Sequence, residues 1–517
     1  MPSHPTQYPI RLTGFLCVWM LCLFVCTRVS AEAAYLVTIS EREDISRIEA
    51  AGLSVDRIKP DGVAVVYVPE GRLKQLESLG LPYELVPDYL TKAPSGYRSY
   101  SAITADLQQY AVLYPDITRL ISLGQSVQGR ELWAILITTE PELLQDKPAV
   151  KYVSTMHGDE PLGTEMCMFF IDLLLDEYGS NSRITRLLDN TYVWVVPLMN
   201  PDGYETYVRF NANNVDLNRA FPQYLIDFTA DWYHDEFLNI EVLEPEVRHI
   251  ISWSLEHAFV LSANIHTGEV VVNYPYDDGV TIPSGTAAPT PDENLFRELS
   301  RRYADHHPIM ANNTSLLLGF NRGIVNGSRW YRITGSMQDW HYRYLGCKEV
   351  TLELSVTKAP LASQLPTHWE YNAEAMLSYL EGVYQGVNGT TTDRRSGDSI
   401  WAQVAVADNT RTAYTHPETG YYHRLLQPGI YSVEFSAPGY IPYTLNDVTV
   451  TTDTTTRNDI TLSDGDINLD GRVDAVDIQL VVNAILGYVI PYDADVDGGG
   501  GVSATDLQSV INKVLGY

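Results

Sequence analysis

Short apolar runs alternate with helix-like segments between residues 98 and 384. The runs are ELWAILIT (131–138), AVKYVSTM (149–156), TYVWVVPLM (191–199), AFVLSANI (258–265) and EVTLELSV (349–356). Strands that are apolar along their whole length are typical of sheets covered by helices on both faces. The pattern predicts an α/β domain at 98–384, with a mixed, mostly parallel sheet flanked by helices. Such sheets bind ligands beyond the carboxyl ends of their strands.

The regions on either side of this block have different patterns. Residues 32–97 alternate β-like and α-like pieces and predict a small α+β unit, followed by an exposed linker at 91–98 that contains Pro94 and Gly96. Whether this unit is a removable pro-segment or a permanent N-terminal domain stays open. Residues 385–463 contain short alternating runs separated by turns, which predicts a β-sandwich of about seven strands.

The last region, 464–517, contains an internal repeat. Residues 466–487 align without gaps with residues 495–516, and each unit is an oxygen-rich loop followed by an amphipathic helix. In the first loop, the oxygen ligands and the sharp turn that Ca²⁺ needs fall at the required positions. Its predicted calcium ligands are Asp466, Asn468, Asp470, Asp474 and Asp477.

The second loop of the repeat keeps fewer oxygen ligands than the first. Asp495, Asp497 and Asp506 remain, together with Ser503, but Gly499 stands where an oxygen ligand is expected. We therefore predict weaker calcium binding there.

The N-terminus is typical of a secretory signal peptide over residues 1–31. Arg11 precedes an apolar stretch at 15–26, and small residues follow at 29–31. We expect an exported, extracellular protein without a transmembrane segment in the mature chain. Two cysteines then remain, Cys167 and Cys347, and the sequence leaves open whether they form a disulfide or are two buried thiols.

The acidic composition limits the class of partner. The formal net charge of −30 argues against nucleic acid, since phosphate backbones are bound by Lys and Arg. It is compatible with attraction of cationic substrates, and equally with a solubilising surface that includes calcium-binding Asp residues.

Residues suited to zinc follow two of the predicted strands. His157 and Glu160 follow AVKYVSTM, and His266 ends the strand that includes AFVLSANI. A His-Glu-His set leaves a coordination position open, as in catalytic zinc sites. Glu353 is a carboxylate on an otherwise apolar strand, which is unfavourable without a task or a partner, and we interpret it as a candidate general base.

Eight motifs occur in an order that resembles the M14 zinc carboxypeptidases, in particular the regulatory branch with carboxypeptidases D, E, M and N. They are HGDEP (157–161), NPDGYE (200–205), NANNVDLNR (211–219), EPEV (244–247), SANIH (262–266), NYPYDD (273–278), WYRITGSMQDW (330–340) and CKEVTLEL (347–354). The resemblance covers roughly residues 98–384 and implies a carboxypeptidase-like fold.

The resemblance assigns a role to each matching position. It implies Zn²⁺ ligation by His157, Glu160 and His266, and Glu353 as the general base. It further implies that Arg209 stabilises the oxyanion, that Asn218 and Arg219 clamp the terminal carboxylate, and that Tyr331 closes over the substrate. It implies that Asp277 and Gln338 line the specificity pocket. An acidic pocket residue implies removal of C-terminal Lys or Arg; the alternative is that Asp277 or Asp278 faces solvent.

Two positions depart from the branch. Glu269 stands in a region where small residues are common, and Ala220 follows Arg219 where Asn is common. Neither is a direct ligand, so they bear on specificity rather than on activity.

The regions after the α/β block also resemble modules associated with known proteins. Residues 385–463 resemble the transthyretin-like domain of the regulatory branch, with GVNG (386–389) and TGYYHRLLQPGIYSVEFSAPGY (419–440). Residues 464–517 resemble a dockerin, which implies a cohesin-bearing scaffold or cell-surface partner; a calcium-stabilised module without a cohesin is the alternative.

The sequence therefore predicts a zinc-dependent carboxypeptidase that acts on peptide or protein C-termini. Two alternatives remain open. The first is an M14-type cell-wall peptide amidase or deglutamylase, and the second is an inactive carboxypeptidase-like binding module.

Overall fold

The computed structural model describes residues 33–41, 43–59, 62–69, 71–86, 95–223, 240–279, 282–316 and 318–516. The predicted signal peptide at 1–31 and positions 91–94 of the predicted linker lie outside the described residues. Within these ranges, no helix has both the length and the apolar character needed to cross a bilayer.

The N-terminal unit, residues 33–86, is an antiparallel sheet with strand order β2-β3-β1-β4. Residues alternate between the two faces of β3: Val66 packs with Ile45 and Ile48 of α1, whereas Val65 and Tyr67 face away from them. Both faces of β3 are therefore covered, which explains its continuous apolar sequence. The elements are β1 (Ala33–Thr38), α1 (Glu43–Ala50), β2 (Ser54–Ile58), β3 (Val63–Val68), α2 (Leu73–Ser78) and β4 (Tyr83–Leu85).

The central domain is built on an eight-stranded mixed sheet with order β11-β10-β12-β9-β7-β8-β6-β5. The middle strands β12, β9, β7 and β8 run parallel, and β5 and β6 form an antiparallel edge. This arrangement confirms the predicted fold class. The strands are β5 (Thr118–Gln125), β6 (Glu131–Ile137), β7 (Ala149–Ser154), β8 (Tyr192–Val196), β9 (Phe259–His266), β10 (Val270–Tyr274), β11 (Ile324–Asn326) and β12 (Lys348–Leu354).

Helices cover both faces of this sheet. Alternate residues of β7 enter opposite cores: Val150 belongs to the core that includes residues of α3, α4, α5, α8 and α11, and Val153 belongs to the core that includes residues of α7 and α10. Each fully buried aliphatic side chain contributes about 1.5–3 kcal/mol. The helices are α3 (Tyr100–Leu113), α4 (Leu162–Glu177), α5 (Ser182–Asn190), α6 (Pro201–Thr206), α7 (Pro245–Glu256), α8 (Glu293–Ala304), α9 (Gly327–Trp330), α10 (Met337–Leu345) and α11 (Leu365–Leu380).

The carboxyl ends of the parallel strands gather at one edge of the sheet. Glu353 of β12 lies directly opposite His266 of β9, and Ser154 of β7 lies opposite Ile265. The chain then turns from β7 into α4 through residues 155–161. The predicted chemistry-bearing residues therefore meet where open α/β sheets bind ligands.

The C-terminal region contains eight strands and two helices. One sheet has the order β16-β13-β19, with β20 also paired to β13, and the other has the order β15-β14-β17-β18. Their inner faces share a core that includes Val404, Tyr422 and Phe435. The elements are β13 (Gly386–Asp393), β14 (Gln403–Val406), β15 (Asn409–Tyr414), β16 (Tyr421–Arg424), β17 (Gly429–Ser436), β18 (Tyr443–Val450), β19 (Thr455–Arg457), β20 (Ile460–Leu462), α12 (Ala475–Ile485) and α13 (Ala504–Leu515).

The two remaining cysteines are separate buried thiols. Cys167 lies on α4 and Cys347 immediately precedes β12, and neither forms a disulfide. Burial raises the pKa of Cys347 to about 12, so its thiol stays protonated and behaves as a small apolar group.

Candidate active site and metal centre

His157, Glu160 and His266 converge in a buried cluster. Nδ1 of His157 lies 2.9 Å from one carboxylate oxygen of Glu160, and Nδ1 of His266 lies 2.9 Å from the other. The tight turn that carries the first two requires a glycine, because a Cβ on Gly158 would lie 2.0 Å from the carbonyl carbon of Gly203. The strand ends therefore bring three metal-ligating side chains to one point.

This cluster fits a zinc ion. The Nδ1 atoms of His157 and His266 are 3.0 Å apart, and ligand atoms of all three residues lie within 4.8 Å of one another. Two neutral imidazole nitrogens with facing lone pairs repel unless a proton or cation lies between them. Two nitrogens and one carboxylate match the donor set of catalytic zinc sites, which keep a further position open.

Asp216 orients the first histidine. Nε2 of His157 lies 3.0 Å from Oδ1 of Asp216, so this nitrogen can carry the proton and leave Nδ1 free as a ligand. Asp216 also accepts a hydrogen bond from Nε of Arg209 at 3.0 Å. Asp216 belongs to the motif NANNVDLNR, but no role was predicted for it; its position two residues before Asn218 was the available signal.

Lys358 also contacts the cluster, and no role was predicted for it from the sequence. Its Nζ lies 2.8 Å from Oδ2 of Asp159 and 3.1 Å from Oε1 of Glu160. Burial opposes ionisation of Glu160, but His157 and Lys358 hold the pKa of its carboxyl well below the ordinary value. No motif marked Lys358, because it lies in the loop after β12 and reaches the cluster only through the fold.

Glu353 is a buried carboxylate beside the cluster. Its Oε2 has no hydrogen-bond partner within the described part of the chain. Burial raises the pKa of Glu353 well above its ordinary value, and the carboxylates of Glu160 and Asp56 raise it further. The Glu269 carboxylate, one of the two departures from the branch, acts in the same direction. Such an environment favours proton uptake, as a general base requires.

Arg209 and Asn218 both hydrogen-bond to Asp216 beside the cluster, and Arg219 lines the adjoining cleft. Nη1 of Arg209 lies 3.1 Å from Nδ1 of His157, and the residue is buried. Asn218 accepts a hydrogen bond from the Met337 N–H at 3.0 Å through its Oδ1, which leaves its Nδ2 as a donor. Arg219 also lies on this turn, Leu217–Arg219. The structure therefore brings the predicted oxyanion and carboxylate-binding residues together.

Tyr331 is buried near Arg219 and Glu353. Its ring packs against Trp330, and its hydroxyl donates to the backbone carbonyl of Asp56 at 3.1 Å. Tyr331 therefore contacts the N-terminal unit in this structure.

Asp277 and Gln338 are buried next to each other. Oδ1 of Asp277 accepts a hydrogen bond from Asn273 at 3.0 Å, and no ion pair to Asp277 occurs among the residues that the structure describes. Oε1 of Gln338 accepts from Thr351 at 3.1 Å. Asp278, by contrast, pairs with Arg332 at 2.8 Å. Of the two acids, Asp277 is the one left to meet a positively charged side chain.

Asp339 holds the segment that carries Asp277. Its two carboxylate oxygens accept hydrogen bonds from the backbone N–H groups of Asp277 and Asp278, each at 2.9 Å. Burial, and then the charge of Asp277, raises the pKa of Asp339 to about 7. Asp339 was not predicted from the sequence as a site residue, although it directly follows Gln338.

The first calcium-type loop of the C-terminal repeat is folded around its carboxylates. Asp466 accepts hydrogen bonds from the backbone N–H groups of Gly471 at 2.7 Å and Asp470 at 3.1 Å. Asn468 donates to Asp470 at 3.0 Å. Asp474 caps α12, and Asp477 accepts from its backbone N–H at 2.8 Å.

The second loop brings three carboxylates together. Oxygens of Asp495, Asp497 and Asp506 lie within 4.8 Å of one another, and Oδ1 of Asp495 lacks a partner among the described residues. Burial and the charge of Asp506 raise the pKa of Asp495. This loop therefore keeps an arrangement suited to a cation despite Gly499.

Comparison with known proteins identifies all three main regions. The zinc carboxypeptidase family model matches residues 103–375, a carboxypeptidase regulatory-like domain matches 386–463, and a type I dockerin domain matches 464–515. Mouse carboxypeptidase N catalytic chain is 37% identical over 410 residues, which cover 73% of this chain and 88% of that protein.

Two further matches agree with this result. Human carboxypeptidase D is 38% identical over 356 residues, which cover 66% of this chain but only 25% of that protein. The crystal structure of carboxypeptidase A from Helicoverpa armigera aligns with a TM-score of 0.51 at 20% identity, over 68% of this chain and 97% of that one, and shows the shared fold. By its sequence and by its site, this chain belongs to the zinc carboxypeptidase family.

Proposed function

We propose that this protein is a zinc-dependent carboxypeptidase that hydrolyses the last peptide bond of its substrate and releases C-terminal Lys or Arg. The main support is one arrangement. A buried His-Glu-His cluster lies beside Glu353, whose Oε2 has no hydrogen-bond partner among the described residues. Asp216 contacts both His157 of this cluster and the backbone N–H of Asn218, and Arg219 follows on the same turn. A site that binds a terminal carboxylate beside a hydrolytic centre fits an exopeptidase.

The residues would divide the reaction among them. When bound by His157, Glu160 and His266, a zinc ion would supply a Lewis acid that polarises the scissile carbonyl. Glu353 takes a proton from the attacking water and passes it to the leaving amine. Arg209 donates hydrogen bonds to the developing oxyanion.

The substrate is oriented through its charged ends. Arg219 matches a carboxylate with its planar fork of donors, and the Nδ2 amide of Asn218 adds a further hydrogen bond. Tyr331 closes over the bound residue. Asp277 receives the positive charge of a Lys or Arg side chain, with Gln338 beside it, because its buried carboxylate has no other ion-pair partner within the described ranges.

The C-terminal module suggests where the enzyme works. We propose that its two loops bind Ca²⁺ as structural ions, and that the module attaches the enzyme to a cohesin-bearing scaffold outside the cell. The dockerin match and the three clustered carboxylates of the second loop support this.

The test is amino-acid release from matched peptides that end in Arg, Lys, Phe or Glu, before and after zinc removal. We expect release of Arg and Lys that stops with a chelator and returns with Zn²⁺. Asp277→Asn should lower kcat/KM for the Arg peptide on the order of 100-fold, because the substrate cation loses its buried partner. Asp116→Asn, an exposed carboxylate, is the matched control.

Other outcomes would contradict parts of the proposal. Preferred release of Phe by the zinc-loaded protein would remove Asp277 from the specificity pocket. Release of Glu alone would favour the amidase or deglutamylase alternative. No release from any peptide, by any variant with full zinc content, would favour the binding-module alternative.

A further inference from the structure

The β-sandwich is in contact with the helix that carries part of the specificity pocket. Helix α10 bears Gln338 and Asp339 in its first turn. At its other end, a Cβ on Gly346 would lie 2.8 Å from the backbone carbonyl oxygen of Thr412 in β15. A glycine is required at this position, because the neighbouring backbone is so close and because Gly346 has a φ of 67°. The C-terminal end of α10 is therefore packed directly on the sandwich.

Arg411 of β15 extends this contact toward the pocket. Its Nη1 donates a hydrogen bond to the backbone carbonyl of Arg343 in α10 at 3.3 Å. Its guanidinium carbon lies 6.0 Å from the centre of the Tyr276 ring, and Tyr276 directly precedes Asp277 in the chain. A guanidinium at this distance is attracted to the face of an aromatic ring. Arg411 therefore links the end of α10 to the segment that carries Asp277.

Arg343 contacts the same segment from within the catalytic domain. Its guanidinium carbon lies 4.1 Å from the centre of the Tyr276 ring, and its Nη2 donates to the backbone carbonyl of Asp278. The same Nη2 lies 3.8 Å from the Asp339 carboxylate. The Tyr276 ring thus contacts two guanidinium groups, and the second of them, that of Arg411, belongs to the sandwich.

A buried carboxylate holds β15 in place beside α10. Asp292 accepts hydrogen bonds from Nδ2 of Asn409, the first residue of β15, at 2.6 Å and from the Tyr342 hydroxyl of α10 at 3.0 Å. The buried Arg424 of β16 lies 3.4 Å from this carboxylate and donates to the backbone carbonyl of Arg411 at 3.2 Å. A buried charge network of this kind is costly to break, because the remaining charges are left without partners. The position of Arg411 is therefore fixed by its own strand.

We propose that Arg411 is a positioning residue for the specificity pocket, so that the β-sandwich takes part in the choice of the residue that is released. The inference rests on the proposed function, since it uses the role given to Asp277. Arg411 acts through Tyr276 and α10, which fix the backbone from which the Asp277 side chain extends. A small displacement of a group that binds substrate lowers affinity steeply, even when the altered residue lies away from the substrate.

The experiment compares the unchanged full-length protein, loaded with zinc, with the variant Arg411→Met. Methionine keeps an unbranched apolar side chain but has no guanidinium, so the contacts with the Tyr276 ring and the Arg343 carbonyl are lost. We expect KM for an Arg-terminated peptide to rise about tenfold, with kcat within about twofold, because the His-Glu-His cluster is not displaced. KM for a Phe-terminated peptide should change less, so selectivity for Arg over Phe should fall.

Arg457→Met is the matched control. Arg457 of β19 also belongs to the sandwich, and it pairs at 3.4 Å with Asp146 in the loop before β7 of the catalytic domain. This variant therefore removes a contact of the same kind from a different part of the interface. Its KM and selectivity should equal those of the unchanged protein. Equal losses in the two variants would show a general effect of the interface and would overturn the positioning role of Arg411.

A second readout does not depend on catalysis. The backbone N–H groups of Asp277 and Asp278 donate to the Asp339 carboxylate at 2.9 Å each, and in Arg411→Met we expect them to exchange hydrogen about tenfold faster. Unchanged exchange there would overturn the positioning role, as would unchanged selectivity in an enzyme that prefers Arg. Faster exchange in a protein that prefers Phe, or that releases nothing, would retain the positioning role and reject the proposed specificity.

A milder variant keeps the test decisive if Arg411→Met folds poorly. Arg411→Lys retains the positive charge but loses the planar fork of donors. We expect the same changes in KM, selectivity and hydrogen exchange, each smaller than in Arg411→Met. Values equal to those of the unchanged protein in all three measurements would overturn the proposal.

Discussion

At the scale of single residues, the environments of Glu353 and Asp216 suit these two carboxylates to different roles. Glu353 is buried beside the His157, Glu160 and His266 cluster, and its Oε2 has no hydrogen-bond partner among the described residues. Asp216, by contrast, hydrogen-bonds to both Arg209 and His157. The first environment favours a group that exchanges a proton. The second favours a fixed anion that orients its neighbours.

Replacing Glu353 by Gln should remove catalysis and retain the metal. The amide keeps the size of the side chain but cannot accept the proton, so kcat should fall about 10³-fold. Zinc content, measured on the purified protein, should equal that of the unchanged enzyme. Glu370→Gln, on the exposed side of α11, should retain full activity. Near-normal turnover by the Glu353 variant would reject its role.

Replacing Asp216 by Asn should lower zinc affinity as well as activity. Loss of the anion that fixes the His157 ring should reduce metal affinity about 10–100-fold. Competition with a chromogenic chelator measures this, and excess Zn²⁺ should restore part of the activity. Asp305→Asn, a surface carboxylate, is the control. Unchanged zinc affinity would show that Asp216 does not orient the ligand.

At the level of elements, the conformation of the segment after β10, which carries Asp277, depends on Asp339 in the first turn of α10. The Asp339 carboxylate accepts hydrogen bonds from the backbone N–H groups of residues 277 and 278. These bonds fix the backbone from which the Asp277 side chain extends. Burial raises the pKa of both carboxyls, and the charge of Asp277 further raises the pKa of Asp339. The pocket should therefore be sensitive to pH.

Selectivity for Arg over Phe should begin to fall as the pH is lowered through about 7, where Asp339 takes up a proton, and should fall further when Asp277 is protonated. Protonation of the Asp277 and Asp339 pair removes the negative charge that a basic side chain requires. In Asp339→Asn the first of these two steps is absent, so the loss of selectivity should begin at lower pH. The ratio of kcat/KM values for the two peptides, measured from pH 5 to 9, checks this expectation.

The same pair predicts the sign of a stability change. Folding raises the pKa of Asp339 above its ordinary value of 3.8, so its contribution to stability is complete below that value and is lost as the pH rises through about 7. The difference in Tm between the unchanged protein and Asp339→Asn should therefore shift against the unchanged protein between pH 4 and 7. A difference that is constant with pH would contradict the raised pKa.

At the level of the whole molecule, the C-terminal module is joined to the sandwich by a shared core. Ile441 of the sandwich is buried among Ile467, Val481 and Val510 of the module. Arg395 lies 3.4 Å from the Asp466 carboxylate of the first loop. The module is therefore packed against its neighbour rather than attached only by the chain.

Ile441→Ala should uncouple the module from the sandwich. Removing a buried Ile side chain costs about 2–5 kcal/mol, and here that loss falls on the interface. Calorimetry in Ca²⁺ should show a separate, earlier transition for the module. Ile430→Ala, an exposed residue of the same sandwich, should leave the transition unchanged. A single unchanged transition in both variants would reject the coupling.

The sequence alone determined the fold class and located the residues suited to zinc, His157, Glu160 and His266. Both rest on local information: fully apolar strands specify a covered sheet, and His157 with Glu160 stand three residues apart where a strand ends. Since parallel strands end at one edge, His266 and Glu353 could be assigned to the same place from their positions on strands.

The tertiary structure alone decided which distant side chains meet. Glu49 is 170 residues from Arg219, and Asp56 is 153 residues from Arg209. No periodicity or motif encodes such a pairing, because it depends on how one folded unit packs against another. The same holds for Lys358, and for the choice between two buried thiols and a disulfide, which is settled by where α4 and β12 place Cys167 and Cys347.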